Sequence, residues 1–290
     1  LHSGRRIEEL FKKGALEWQK DTCINFYESP NGEGTSKYTL KLVEKHVFNL
    51  CMQVGIAAHE IGHAIGMFHT QSRHDRDQYI MLDINSIKPD GLDQFDKEPP
   101  NRNENYGIPY DYGSIMHYGS RSFSYNKQRT MIPYDDRYVD TLGSPFISFY
   151  ELLMMNIHYN CLDKCKSNPS AAKCYMGGFP HPRDCSKCIC PGGYGGKLCN
   201  ERPQGCGKIL QATSTFQPLE DSVGYDHIQN TRDAKDEFLK CNYWIQAPQG
   251  RRIEVKFVST DGVATDGCYY DGVEIKAQKD QRLTGYRYLR

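Results

Sequence analysis

The sequence predicts an α+β chain of two or three domains: a helix-bearing N-terminal part, a small disulfide-stapled module and a β-rich C-terminal part. Three observations carry this reading. The 290 residues exceed what one hydrophobic core usually serves. The twelve cysteines are spread unevenly, with only Cys23 and Cys51 in residues 1–160 and seven between Cys161 and Cys199. Hydrophobic residues recur at helical spacing in the first half and alternate in the last third.

Taken in order, Ile7, Leu10, Phe11, Ala15, Leu16 and Trp18 predict a helix over 3–20. Cys23-Ile24-Asn25-Phe26-Tyr27 reads as a short strand, closed by the turn formers Ser29-Pro30-Asn31-Gly32. Residues 37–51 are ambiguous, because Tyr38, Leu40 and Leu42 alternate before the period fades. A second helix is expected over 52–67, a Pro-, Asn- and Asp-rich loop over 85–113, and an apolar helix over 146–159 centred on Leu152-Leu153-Met154-Met155. Gly177-Gly178, Gly192-Gly193 and Gly195-Gly196 mark turns in the cysteine-dense stretch. Beyond Cys206, Ile253, Val255 and Phe257, and again Val273, Ile275 and Ala277, alternate with charged or polar residues and predict strands.

Composition excludes several classes. Lys and Arg balance Asp and Glu at 36 each, which argues against a general nucleic-acid binder or a polybasic membrane-surface protein. No run of 18 apolar residues occurs, so no membrane span is expected. The chain starts at Leu1 without a signal-peptide core, which fits either a processed protein or a fragment. A dense cysteine module beside sparse regions points to an oxidising, extracellular compartment. The rival is a cytosolic zinc knuckle at Cys185-Ser-Lys-Cys188, which the packed odd spacings and glycine-rich tail oppose.

The chemistry concentrates in His59-Glu60-Ile61-Gly62-His63-Ala64-Ile65-Gly66-Met67-Phe68-His69. On a helix, His59 and His63 stand one turn apart on one face, a spacing that grips a single zinc ion. Glu60 is rotated off that face, where it could act as general base towards a water at the metal. Gly66 can turn the chain, bringing His69 to the metal from a third direction. Three neutral imidazoles leave the full ionic charge on zinc. His74 lies beyond the pattern and reads as a solvated loop residue.

Ser114-Ile115-Met116-His117-Tyr118, placed 47 residues after His69, resembles the Met-turn of the metzincins, and with Tyr118 the resemblance is to the astacin family. It implies that Met116 floors the zinc site. It also implies that Tyr118 is a fifth ligand in the resting enzyme, swinging away to stabilise the oxyanion. Cys23 and Cys161 match the family's long-range disulfide. Cys185 to Cys199 resembles the second half of an EGF-like module, and Cys206 to Arg290 resembles a CUB domain, an order found in nematode and tolloid-like astacins.

The division expected from the resemblance is an astacin-like zinc peptidase domain (1–163), incomplete at its N-terminus and before residue 51, then an EGF-like module (164–200) and a truncated CUB-like β-sandwich (206–290). Three bridges are expected among Cys165, Cys174, Cys185, Cys188, Cys190 and Cys199, with connectivity open, and one between Cys206 and Cys241. That leaves Cys51 and Cys268 unpaired. Thr70 stands where the family commonly has Glu, which anchors the mature N-terminus. Asp271 is a weak calcium candidate and reads better as turn chemistry. The function implied is a secreted zinc endopeptidase, with one zinc per chain, acting on extracellular proteins or peptides. The alternative is a catalytically impaired binding protein whose EGF and CUB parts recognise matrix partners.

Overall fold

The computed structural model describes residues 2–28, 53–224, 238–261 and 265–289. The ambiguous stretch 37–51, and Cys51 with it, lies outside the described residues. The N-terminal part is built on helix α1 (His2–Lys20) crossing helix α2 (Val54–Ala64). Trp18, the anchor of the α1 apolar face, is fully buried, and its indole N–H donates to the Ala58 carbonyl at 2.8 Å. Around it pack Ala58, Ile61, Ile65, Met67, Ile115, Met116 and Met155. Leu16, which the spacing also assigned to that face, is exposed.

Helix α3 (Phe149–His158) begins with a reciprocal cap. The Ser148 side chain accepts from the Glu151 N–H, while the Glu151 carboxylate accepts from the Ser148 N–H. A disulfide ties the end of α1 to the end of α3 through Cys23 and Cys161. A second core, rich in tyrosine, holds Ile80, Phe95, Tyr110, Tyr112, Met131, Tyr138 and Leu142. It lies under the antiparallel pair β1 (Ile80–Leu82) and β2 (Met131–Pro133). The expected loop at 85–113 is irregular, with short 3₁₀ turns at Ile84–Ser86 and Pro89–Phe95.

The cysteine-dense module pairs β3 (Phe179–His181) with β4 (Asp184–Ile189). Its bridges run Cys165–Cys185, Cys174–Cys188 and Cys190–Cys199. Cys185 and Cys188 are both consumed in these bonds, which removes the zinc-knuckle reading. Phe179 and Ile189 rest against Phe149 of α3, joining the module to the first core.

Three sequence expectations need correction. Residues 23–27 form no strand, because their backbone groups are taken by side chains: the Phe26 N–H donates to Gln19 Oε1 at 2.8 Å, and Arg183 Nη2 donates to the Ile24 carbonyl at 2.6 Å. Residues 253–257 form no strand either, and Ile253 and Val255 are exposed. Alternation specifies a face, but a ladder also needs a partner edge, and the described residues supply none there.

The expected C-terminal sandwich is likewise absent among the described residues. Two separate pairs stand in its place: parallel β5 (Ile209–Gln211) with β6 (Trp244–Gln246), and antiparallel β7 (Val273–Ile275) with β8 (Tyr286–Tyr288). The β7–β8 pair packs on the N-terminal part instead of on a second sheet. Tyr286 enters the tyrosine core, Thr284 donates to buried Asp111, and Arg287 Nη1 donates to Ser144 Oγ at 2.8 Å. Cys206–Cys241 closes the remaining bridge, and Cys268 is a buried free thiol.

Candidate metal centre

Helix α2 carries His59 and His63 on one face, and its end determines where His69 goes. The Met67 N–H bonds to the Gly62 carbonyl and the Gly66 N–H to the His63 carbonyl, each at 3.0 Å. Gly66 sits at φ 100°, the left-handed geometry this six-to-one closure demands. The chain therefore reverses just past the helix and returns His69 to the helix face.

There the three imidazoles meet. His69 Nε2 lies 3.2 Å from His59 Nε2 and 3.1 Å from His63 Nε2. Ligand atoms of all three lie within 4.8 Å of one another, the one such His/Cys/Asp/Glu group among the described residues. Nitrogens bound tetrahedrally at the zinc–nitrogen distance would stand about 3.3 Å apart, so the set fits that ion.

The outer ring nitrogens fix the tautomers. His59 Nδ1–H donates to the Ile115 carbonyl at 2.7 Å and His63 Nδ1–H to the Met67 carbonyl at 2.8 Å. Carbonyls only accept, so each Nε2 keeps its lone pair for a metal. Burial pushes the His59 pKa down to about 4, with His63 adding to it. Burial and then the neighbouring imidazoles push His69 to about 2. Both side chains are thus neutral donors at physiological pH, as metal ligation requires.

Tyr118 packs against this cluster, its ring tilted 50° to that of His69 with the centroids 4.3 Å apart. Burial first, then the charges of Glu60 and Asp93, push its phenol up to about 12, so it remains a hydrogen-bond donor. Glu60 is half-buried on α2, near enough for its charge to act on Tyr118. Met116 is fully buried, its thioether against Gly62 of α2. Two strands of chain are zipped together here: the Thr70 N–H donates to the Met116 carbonyl and the Tyr118 N–H to Gln71 Oε1, both at 3.0 Å. His74 instead bonds to Asn103, away from the cluster.

Residues 2–160 match the family model for the astacin peptidases, more than half of the chain. Zinc metalloproteinase nas-31 of Caenorhabditis elegans is 46% identical over 98% of this chain and 48% of its own.

The chain belongs to the astacin family.

Two further astacin-type relatives from the same nematode agree. Zinc metalloproteinase nas-25 is 40% identical over 82% of this chain and 59% of its own, and nas-32 is 39% identical over 97% and 44%. The chain spans about half the length of these curated relatives. Residues 218–287 match the CUB domain model. Among solved structures, a hatching-enzyme zinc-protease from Oryzias latipes aligns with 53% of this chain and 82% of its own, at 26% identity and a TM-score of 0.43. Membership of this zinc-dependent family agrees with the donor set built by His59, His63 and His69.

Two members of the site escaped the sequence reading, Gln71 and Glu151. Gln71 was hidden because its role is to hold a backbone N–H. Glu151 carried a readable signal, since a Glu three residues after Ser148 at the head of an apolar helix is a capping-box pattern.

Proposed function

We propose that this astacin chain is a zinc-dependent endopeptidase that hydrolyses peptide bonds in extracellular proteins. The observation that carries the reading is the convergence of three Nε2 lone pairs from His59, His63 and His69, two of them with tautomers set by carbonyls. Zinc held there would supply Lewis acidity, polarising a scissile carbonyl and acidifying a water beside it. The carboxylate of Glu60 takes the proton from the attacking water and passes it to the leaving amine. The phenol of Tyr118 donates to the oxyanion as the carbonyl carbon becomes tetrahedral. Met116 gives the three imidazoles an apolar floor that keeps bulk water from beneath them.

Five disulfides support an extracellular, secreted protein. The first-to-third, second-to-fourth and fifth-to-sixth bridge order of residues 165–199 supports an EGF-like module, with the CUB-like part following it as a site for matrix partners. The presence of His59, Glu60, His63, His69 and Tyr118 together supports the peptidase over an impaired scaffold. Metal analysis combined with peptide cleavage tests the proposal. One zinc per chain and hydrolysis lost on chelation are expected; a protein that binds no zinc sinks it.

A further inference from the structure

We propose that Glu151 is a positioning residue of the metal centre, holding His59 through the single peptide plane between Ile115 and Met116. The inference rests on the metal-centre reading above. Glu151 is 4% exposed and stands on the first turn of α3. Its two oxygens are saturated by donors. Ser114 Oγ and the Met116 N–H, the latter at 3.2 Å, reach Oε1, while the N–H groups of Ile115 and Ser148 reach Oε2 at 3.1 and 2.7 Å.

The peptide bond makes this more than a buried cap. In a trans peptide the N–H and C=O point in opposite directions and cannot turn independently. The Met116 N–H of the 115–116 plane faces Glu151, so the Ile115 carbonyl of the same plane faces away from it. That carbonyl receives His59 Nδ1–H at 2.7 Å. Glu151, one rigid amide and His59 thus form a relay in which a peptide separates carboxylate from imidazole. The hydrogen bond that Glu151 accepts at the N–H end polarises the amide, makes its carbonyl a stronger acceptor and raises the basicity of His59 Nε2.

The next residue repeats the link. The Met116 carbonyl accepts the Thr70 N–H, which follows directly on His69. Ser114 Oγ, bound to the same carboxylate, also meets Thr70 Oγ1 at 2.6 Å. One side chain on α3 therefore locates both the first and the third histidine. The carboxylate sits in a deeply buried place, and burial raises its pKa to about 7 against the pull of these donors.

The test compares zinc affinity and the absorption spectrum of the cobalt-substituted protein in the parent chain, Glu151→Gln, Glu151→Asp and Ser114→Ala. Leu142→Ala serves as control, a buried change in the tyrosine core. Glu151→Gln is expected to weaken zinc by roughly 10-fold or more and to shift the cobalt bands, the usual scale for a group behind a ligand. Glu151→Asp should recover part of that loss, and Leu142→Ala should lower thermal stability while leaving both readouts at parental values. Parental zinc affinity and parental cobalt bands in folded Glu151→Gln would overturn the proposal even if its melting temperature fell. Should Glu151→Gln fail to fold, Ser114→Ala decides: a few-fold weaker zinc and shifted bands support the relay, and unchanged values overturn it. A parent chain that binds no zinc overturns the metal-centre reading, and this inference with it.

Discussion

Gly62 lies directly against the thioether of Met116: a β-carbon built on Gly62 would stand 2.6 Å from Met116 Sδ and 3.5 Å from the indole of Trp18. This contact seats the zinc-motif helix on a turn 54 residues further along the chain. Gly62→Ala should therefore overpack the junction, at about 1–3 kcal/mol of stability. Because the displaced Met116 carries the Ile115 carbonyl with it, zinc affinity should fall as well. Thermal unfolding and zinc titration read the two effects; an alanine variant at parental values in both would show that the junction has room for a methyl group.

Removal of a ligand should separate metal from fold. His63→Ala leaves two imidazoles, and the protein should no longer retain zinc through dialysis. Added zinc should raise the melting temperature of the parent by mass action and leave that of His63→Ala unchanged. Equal stabilisation of both would place the ion elsewhere.

Chemistry should separate from binding at Glu60 and Tyr118. Glu60→Gln keeps zinc, because Glu60 is outside the ligand set, yet should lose peptide hydrolysis by roughly 10²-fold or more, since an amide cannot take the proton from water. Tyr118→Phe should also keep zinc and lose less, as one oxyanion donor goes while the metal's charge stays. Peptidase rates of Glu60→Gln matching the parent would remove Glu60 from the mechanism.

The free thiol offers a redox check. Cys268 is buried, and burial first of all pushes its pKa up to about 12, so almost none is thiolate at neutral pH. Alkylation of the native protein at pH 8 should leave Cys268 unlabelled, and unfolding without reductant should expose it. The ten bridged cysteines should stay unlabelled in both conditions. Rapid native labelling of Cys268 would contradict the packing of residues 265–289 on the N-terminal part.

That packing has its own test at Thr284. Asp111 is fully buried and accepts from the N–H groups of Gly113 and Thr284 and from Thr284 Oγ1. Thr284→Val keeps the shape and removes one donor, which should cost about 1–3 kcal/mol. The loss should appear in unfolding of the N-terminal part, although the residue lies 173 positions away from Asp111 in sequence. An N-terminal part indifferent to this change would mean that the C-terminal segment does not brace it.

By itself the sequence determined what depends on near neighbours. The four-residue step of His59 and His63, the turn at Gly66, the helix beneath Trp18 and the one ending before Cys161 are all set by local geometry, and each stands as the pattern predicts. The tertiary structure alone decided the rest. The segment after Cys23 became irregular because Gln19 and Arg183 took its backbone groups. The alternating residues 253–257 stayed unpaired because no strand edge among the described residues reaches them, although the Phe257 ring stacks on Tyr288 of β8. Glu151 reached the Met116 amide across 35 residues, and no local pattern encodes that distance. Side-chain periodicity fixes which face a residue takes, but the partner of a buried polar group is settled only when distant segments close around it.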